Sequence, residues 1–272
     1  MNAIKQLQQK YDAGEARALY ELVLGKRFGL SRTDILLGKD TTLSAKDKAE
    51  LQIIIDRVAK GEPVQYVLGS EEFCGRTFLV TPDVLIPRPE TQQLVQLVQQ
   101  NVAQGSTVLD IGTGSGCIAI TLALSGYRVT AIDVSDEALA VARKNAERLG
   151  AEVEFRKADI LSIINCQLSI VNCIISNPPY ICESEAATMD DNVLLHEPHL
   201  ALFVPDDDPL LFYHSIADYG LRHLAEDGWL FFETNRAYTA QVGELLSGKG
   251  YKDVHIMKDQ YDNDRFVCAR KK

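Results

Sequence analysis

The chain has 272 residues, 46% of them hydrophobic, with 28 Lys and Arg against 38 Asp and Glu and a formal net charge of −10. That apolar share lies in the globular range, so extended disorder is not expected, and the length suffices for a large core and two domains. A pI of about 5.0 argues against nucleic acid as a direct partner, because affinity for phosphate rests on Lys and Arg.

Residues 1–72 read as a small helical domain. Ile4, Leu7 and Tyr11 have helical spacing, as do Ala18 and Leu22 and, further on, Leu36 and Leu37. Ser44 followed by Asp47 resembles a capping box with the acid in place of Glu or Gln, and Leu51, Ile54, Ile55 and Val58 make an apolar stripe that ends near Gly61. Residues 73–90 change texture. "FCGRTFLVTPDVLIPRPE" holds β-formers in short bursts, a turn at Gly75 and Arg76 and three prolines, and reads as a β-hairpin linker. Residues 91–272 begin with a helix to about Val102 and then alternate. "TVLDIG", "YRVTAIDV", "AEVEFRKADI", "SIVNCIIS" and "GWLFFET" are strands, with "CIAITLALSG" and "SDEALAVARKNAERLG" as helices between the first three. "YKDVHIM" and "RFVCAR" are two late strands that suit an antiparallel pair at one edge. Alternating strands and helices predict an α/β fold with a doubly wound parallel sheet.

Between the first strand and its helix stands "LDIGTGSGCIAI". Gly112, Gly114 and Gly116 let the backbone turn tightly and approach a ligand closely, and amides at a helix N-terminus favour a negative group. Asp133 ends the second strand, where a carboxylate can accept from ribose hydroxyls. Asp159 follows the third strand and can accept from an adenine amino group. Loop and acids together read as a nucleoside pocket at the carboxyl ends of the strands. A nicotinamide enzyme has a similar loop and a similar acid, so this much leaves the chemistry open.

The fourth strand ends in "SNPPYI" at residues 176–181. Proline cannot donate to a sheet ladder, so the strand stops there, and two prolines in a row make a stiff turn. Glycine loop, acids and Asn-Pro-Pro-Tyr together resemble the class I methyltransferases that use S-adenosylmethionine and methylate a planar nitrogen. In that chemistry an amide nitrogen is a weak nucleophile, and orientation and localisation of its lone pair are what a protein can add. The Asn177 carboxamide oxygen and the Pro178 carbonyl can each accept one N–H of the acceptor, Pro179 stiffens the turn, and Tyr180 can pack on the flat face of the amide. The nitrogen becomes acidic as it alkylates, so no dedicated strong base is required.

The fullest resemblance is to the release factor glutamine methyltransferases (the PrmC/HemK family). It rests on "GEPVQYVLGSEEFCGRTFLVTPDVLIPRPET" at residues 61–91, on "VLDIGTGSGCIAI", on "AIDVSDEALAVARKNAERLG" and on "SNPPYI", and it covers nearly the whole chain. The resemblance implies methyl transfer from S-adenosylmethionine to N5 of the glutamine in the Gly-Gly-Gln loop of class I peptide-chain release factors. It implies that the helical domain helps to grip the release factor. Gly112, Thr113, Gly114, Ser115, Gly116, Asp133, Asp159, Ile160 and Asn177 would hold the cofactor, and Asn177, Pro178, Pro179 and Tyr180 the glutamine. The chain departs from the family at "ALFVPDDDPLLFY", where glycines are usual, at "KDQYDNDRFVCAR", which lacks a glycine before the Asp-Arg pair, and at Ile160, where some relatives place an aromatic.

Rival readings are an N6-adenine nucleic-acid methyltransferase, a glutamine methyltransferase acting on a ribosomal protein, and a non-catalytic module that kept the fold. The acidic charge and the match at residues 61–91 count against the first, and intact glycines and Asn177 against the last. His196 and His199 read as part of a loop over the site, shaped by Glu197 and Pro198, rather than as metal ligands, and no metal is expected. Glu233 reads as structural. Arg88 and Glu90 read either as pocket residues or as members of an inter-domain ion pair. Cys117 and Cys182 read as apolar fillers. The six cysteines include no Cys-x-x-Cys and read as free thiols of a reducing cytoplasm. The N-terminus lacks a signal-peptide core, and no stretch approaches the ~18 apolar residues of a membrane span. A cytoplasmic protein is expected, and nothing in the chain points to an obligate oligomer.

Overall fold

The computed structural model describes residues 3–162 and 169–272. Cys166 therefore lies outside the described residues. The chain divides into two compact units, residues 1–70 with 190–196, and residues 71–189 with 197–272.

In the first unit the helices are α1 (Ala3–Leu7), α2 (Ala13–Phe28), α3 (Arg32–Leu36), α4 (Ala45–Ala59) and α5 (Val64–Leu68), joined by the short helix Asp191–His196. The expected stripe on α4 is buried, with Leu51, Ile54, Ile55 and Val58 in one core. Ser44 caps α4 by accepting from the Asp47 amide at 3.1 Å, but its hydroxyl donates to the Asp47 carboxylate at 2.7 Å, so no reciprocal box forms there. The two-way box stands at Ser31 and Asp34 instead. On α2 the buried face is Ala16, Tyr20, Val23 and Leu24, and Ala18 is exposed and Leu22 half-buried beside it. Leu36 and Leu37 are 66% and 72% exposed. The phase of α2 follows the larger apolar set at i, i+4, i+7 and i+8, and α3 is a capped single turn with no buried residue.

The second unit opens with a hairpin of β1 (Ser70–Phe73) and β2 (Arg76–Leu79). Then come α6 (Pro89–Asn101), β3 (Thr107–Ile111), α7 (Cys117–Leu124), β4 (Arg128–Asp133), α8 (Asp136–Leu149), β5 (Val153–Lys157) and β6 (Val171–Ser176). A two-residue pair, β7 (Ile181–Cys182) and β8 (Phe203–Val204), flanks the loop that carries α9, the Asp191–His196 helix. The chain ends with α10 (Leu211–His223), β9 (Leu224–Glu233), α11 (Thr239–Gly248), β10 (Lys252–Lys258) and β11 (Asp264–Arg270). Seven strands form one sheet in the order β10-β11-β9-β6-β3-β4-β5. Strands β5, β4, β3, β6 and β9 are parallel, and β11 and β10 complete the edge antiparallel.

Alternate residues of each strand serve opposite faces. Val108, Cys173, Phe231 and Cys268 pack under α6, α7 and α8, whereas Leu109, Ile174, Leu230 and Val267 pack against α10 and α11. Strands covered on both faces read as near-continuous apolar runs, which is why "VLDI" and "CIIS" show no alternation. The order of strands reverses between β3 and β6, and the Ser176 hydroxyl donates across that gap to the Ile111 carbonyl at 2.7 Å. A crevice outside the carboxyl ends of these two strands is where an open α/β sheet binds ligands.

Candidate active site

The crevice is a cavity of about 300 Å³, at the lower end of the size range for small-molecule sites. Its walls bring together Gly112, Gly114, Asp133, Asp159, Ile160, Asn177, Pro178 and Pro179, from four loops that the sequence separates by up to 67 positions. Thr113, Ser115, Gly116 and Tyr180 stand behind the wall and do not line it. Pro82, Val84 and Leu85, from the segment after the hairpin, close one side, and Pro198, Leu200 and Ala201 another.

Hydrogen bonds hold the glycine loop in place. The Gly112 and Thr113 amides donate to the Ile132 carbonyl at 3.0 and 3.1 Å, and the Gly114 amide donates to Asp133 Oδ2 at 2.8 Å. Gly114 has φ 53 and faces open space, a combination suited to glycine at a wall that a ligand must approach. Gly116 is required by packing. With φ 80, a Cβ there would lie 2.9 Å from Ile120 Cδ1 and 3.1 Å from Ala142 Cβ. Ser115 turns inward, and its carbonyl accepts from the buried Asn145 side chain at 2.9 Å.

Asp133 also accepts from the Ser135 amide at 3.0 Å. Two backbone bonds leave lone pairs on both oxygens for a diol in the cavity. Burial pushes its carboxyl above the usual range, and the backbone bonds oppose that. Asp159 accepts from the Leu161 amide at 2.9 Å and from the Ser162 hydroxyl at 3.3 Å. Ile132, Ala158 and Ile160 supply an apolar wall between the two acids. An apolar slab with a carboxylate at each end fits the nucleoside of S-adenosylmethionine, whose sulfonium also suits an acidic rim.

Sequence reasoning passed over Asp110. It is fully buried, accepts from the Thr113 hydroxyl at 2.7 Å, and its Oδ1 has no hydrogen-bond partner among the described residues. Burial pushes it up to about 7; the Thr113 bond opposes this and the charge of Asp133 adds to it. A carboxylate inside the apolar run "TVLDIG" was the visible signal.

The Asn-Pro-Pro-Tyr turn is anchored on several sides. The Tyr180 and Ile181 amides donate to the Leu202 carbonyl at 3.2 and 3.0 Å, and Asn235 Nδ2 donates to the Tyr180 carbonyl at 3.1 Å. Asn177 is half-buried, and its Nδ2 donates to Thr91 Oγ1 at 3.2 Å. Thr91 in turn donates to Glu233 Oε2 at 2.8 Å, and the Tyr180 hydroxyl donates to Glu233 Oε1 at 3.3 Å. Burial pushes Glu233 up to about 7, against the pull of Thr91 and of Arg265. Thr91 closes the segment at residues 61–91 and Glu233 ends a strand, but nothing in the sequence marked the bond between them.

Arg88 pairs with the buried Glu197 at 2.5 Å, and the Ile86 amide donates to the same carboxylate at 3.3 Å. All three lie in the second unit, so the pair pins the loop before β8 to the segment before α6 and is not inter-domain. Cys117 and Cys182 are buried. His199 packs edge-on to Phe203 with ring centroids 5.2 Å apart. Among the described residues no group of three or more His, Cys, Asp or Glu is disposed to hold a metal. Nor is any described helix long and apolar enough to cross a membrane.

Residues 1–69 match the family model of the PrmC N-terminal domain, and residues 89–199 that of the methyltransferase small domain. The release factor glutamine methyltransferase of Bacteroides thetaiotaomicron is 47% identical over 267 residues, 97% of this chain and 96% of that protein. The chain belongs to the release factor glutamine methyltransferase family. The family protein of the same name from Flavobacterium psychrophilum is 39% identical over 273 residues, covering 97% of this chain and 95% of its own. Among solved structures, a methyltransferase from Pyrococcus furiosus aligns over 84% of this chain and 99% of its own, with a TM-score of 0.55 at 18% identity. That likeness concerns the fold alone, and it is the class I methyltransferase fold expected of the sheet order. As a release factor glutamine methyltransferase, the chain brings Gly112 and Gly114 of the glycine loop and Asn177, Pro178 and Pro179 of the Asn-Pro-Pro-Tyr turn to the walls of a single cavity.

Proposed function

We infer that this protein transfers a methyl group from S-adenosylmethionine to N5 of the glutamine in the Gly-Gly-Gln loop of class I peptide-chain release factors, and so modulates translation termination. The observation that carries this reading is the meeting, in one cavity, of a nucleoside-type wall and a rigid amide acceptor, Asn177 followed by Pro178. S-adenosylmethionine, when bound, supplies an electrophilic methyl on its sulfonium. Asp133 would accept from the ribose hydroxyls and Asp159 from the adenine amino group, and Ile132 and Ile160, which line the same wall, would flank the base. Gly112 and Gly114 keep the wall thin enough for close approach.

Asn177 Oδ1 and the Pro178 carbonyl accept the two N–H groups of the glutamine amide and turn its nitrogen toward the methyl. Both acceptors face charge that grows as the bond forms, so they favour the transition state over the ground state. The Pro178–Pro179 turn and its anchors to Leu202 and Asn235 keep that geometry fixed before substrate arrives. Glu197, buried and paired with Arg88, holds the covering loop. The helical first unit grips the release factor. The enzyme works as a monomer in the cytoplasm, without direct contact to nucleic acid or membrane. In support, the described cysteines form no disulfide and the chain carries a net charge of −10.

Two substitutions test the reading with release factor as acceptor. Asn177→Ala is expected to lower the transfer rate by about 10²-fold or more while S-adenosylmethionine binds within about threefold of wild type. Asp133→Ala is expected to do the reverse and mainly weaken the cofactor, because a lost charge-assisted hydrogen bond is worth about 1.5–3 kcal/mol. Equal loss of rate and cofactor affinity in Asn177→Ala would overturn the assigned role.

A further inference from the structure

We propose that Glu233 is a positioning residue for this reaction: through the Thr91 hydroxyl it fixes which end of the Asn177 carboxamide faces the acceptor. The inference rests on the functional reading above, which needs Asn177 to present oxygen, not nitrogen, to the cavity. A carboxamide has two ends of nearly equal shape, and nothing in the Asn-Pro-Pro-Tyr turn itself decides between them.

The deciding contact comes from outside the turn. Thr91 is buried, and its single hydroxyl proton is committed to Glu233 Oε2 at 2.8 Å. Its oxygen is then left as an acceptor only. The Asn177 group 3.2 Å away must therefore be Nδ2, a donor, and Oδ1 is turned away from Thr91. The second oxygen of Glu233 accepts the Tyr180 hydroxyl at 3.3 Å, so the same carboxylate orients both polar side chains of the turn. The chain of donors runs one way, from Asn177 to Thr91 to Glu233, and an ionised carboxylate is the acceptor that ends it.

Protonating Glu233 reverses the polarity. The acid can then donate to Thr91, which frees the Thr91 proton for Asn177 and favours the flipped carboxamide, with its NH2 toward an acceptor that is itself an N–H donor. Groups facing Glu233 come from every neighbouring element: Glu90 and Thr91 on α6, Tyr180 on the turn, Tyr213 on α10 and Arg265 on β11. Glu90 disfavours its charge and Arg265 favours it, and burial brings its carboxyl up to about 7. The orienting state is the charged one, so the relay weakens as pH falls through neutrality.

The experiment uses the full-length enzyme, S-adenosylmethionine and purified release factor. The turnover rate, cofactor affinity and pH profile are measured for wild type, Thr91→Val, Thr91→Ser and Glu233→Gln. Thr91→Val keeps the shape and removes the relay, and turnover is expected to fall about 10²-fold with cofactor affinity unchanged. Thr91→Ser restores the hydroxyl and is expected to recover most of the rate. The wild-type rate should rise with pH between about 6 and 8, and Glu233→Gln should flatten that rise. The side-chain amide signal of Asn177, observed by selective 15N labelling, should titrate over the same range in wild type and not in Glu233→Gln.

Full turnover in Thr91→Val, or the same acid limb in wild type and Glu233→Gln, would overturn the relay. So would an Asn177 amide signal in wild type that does not move with pH. A wild type that transfers nothing to release factor would overturn the functional reading, and the amide titration then decides the relay by itself.

Discussion

Asp110 illustrates what a single buried carboxylate does to the whole chain. Burial pushes its carboxyl up to about 7, well above the usual carboxylate range, so the folded state holds its proton more tightly than the unfolded state. The stability this favours is fully present below the unfolded pKa and is lost as pH rises through the folded one. Ionising Asp110 in place costs on the order of 4 kcal/mol. Replacing it by Asn removes that penalty. In differential scanning calorimetry, Asp110→Asn is expected to melt several degrees above wild type near pH 8 and to show little gain near pH 4. A gain of the same size at both pH values would contradict the account. At this scale the sequence was legible where chemistry is local. Gly112, Gly114, Asp133, Asp159 and Asn177 could each be picked from their place at a strand end. The bond between Thr91 and Glu233 could not, because it joins residues 142 positions apart.

Among the elements, the hairpin and the glycine loop share one anchor. The Asn145 side chain, on α8, is fully buried. It accepts from the Leu79 amide at 2.7 Å and donates to the Leu79 carbonyl at 3.0 Å and to the Ser115 carbonyl at 2.9 Å. It thus ties β2 and the loop that walls the cavity to one helix. Asn145→Ala leaves the buried Ser115 carbonyl and the half-buried Leu79 amide and carbonyl without that partner and is expected to cost about 2–4 kcal/mol, since a buried unsatisfied group costs about 1–3 kcal/mol and one open to water less. The measurement is the urea midpoint, and a change under about 0.5 kcal/mol, the range of an ordinary surface substitution, would contradict the anchor. The strand and helix runs of the sheet were readable from apolar runs and from Gly and Pro punctuation. The face of α2 was not, because spacing alone does not choose between Ala18 and Ala16. The loop lacking the expected glycine before Asp264 closes another way. Asp259 accepts from the Tyr261 and Asn263 amides at 2.8 and 2.9 Å, and Asp262 takes φ 66. Asp is among the few residues that enter that region readily.

Over the whole molecule, each unit has its own buried core, one built from α1, α2, α4 and α5 and two more on the faces of the sheet. Every residue lining the cavity comes from the second unit. The fold class was legible from strand-helix alternation, and the order β5-β4-β3-β6-β9 is the doubly wound order that alternation implies. What alternation could not supply is the pairing across β3 and β6 that puts the glycine loop and the Asn-Pro-Pro-Tyr turn in one crevice, because register is set by contacts between distant strands. The net charge of −10 belongs to this scale too, and it supports the proposal of a protein acceptor over duplex DNA.

The measurement that tests the central claim most directly is transfer of labelled methyl from S-adenosylmethionine to three acceptors side by side: a class I release factor, the same factor with the loop glutamine changed to alanine, and unmethylated DNA. The account predicts label on the unaltered release factor alone, located by mass spectrometry on the loop glutamine. Label on DNA, equal label on both forms of the factor, or none on a factor that another family member labels would contradict it.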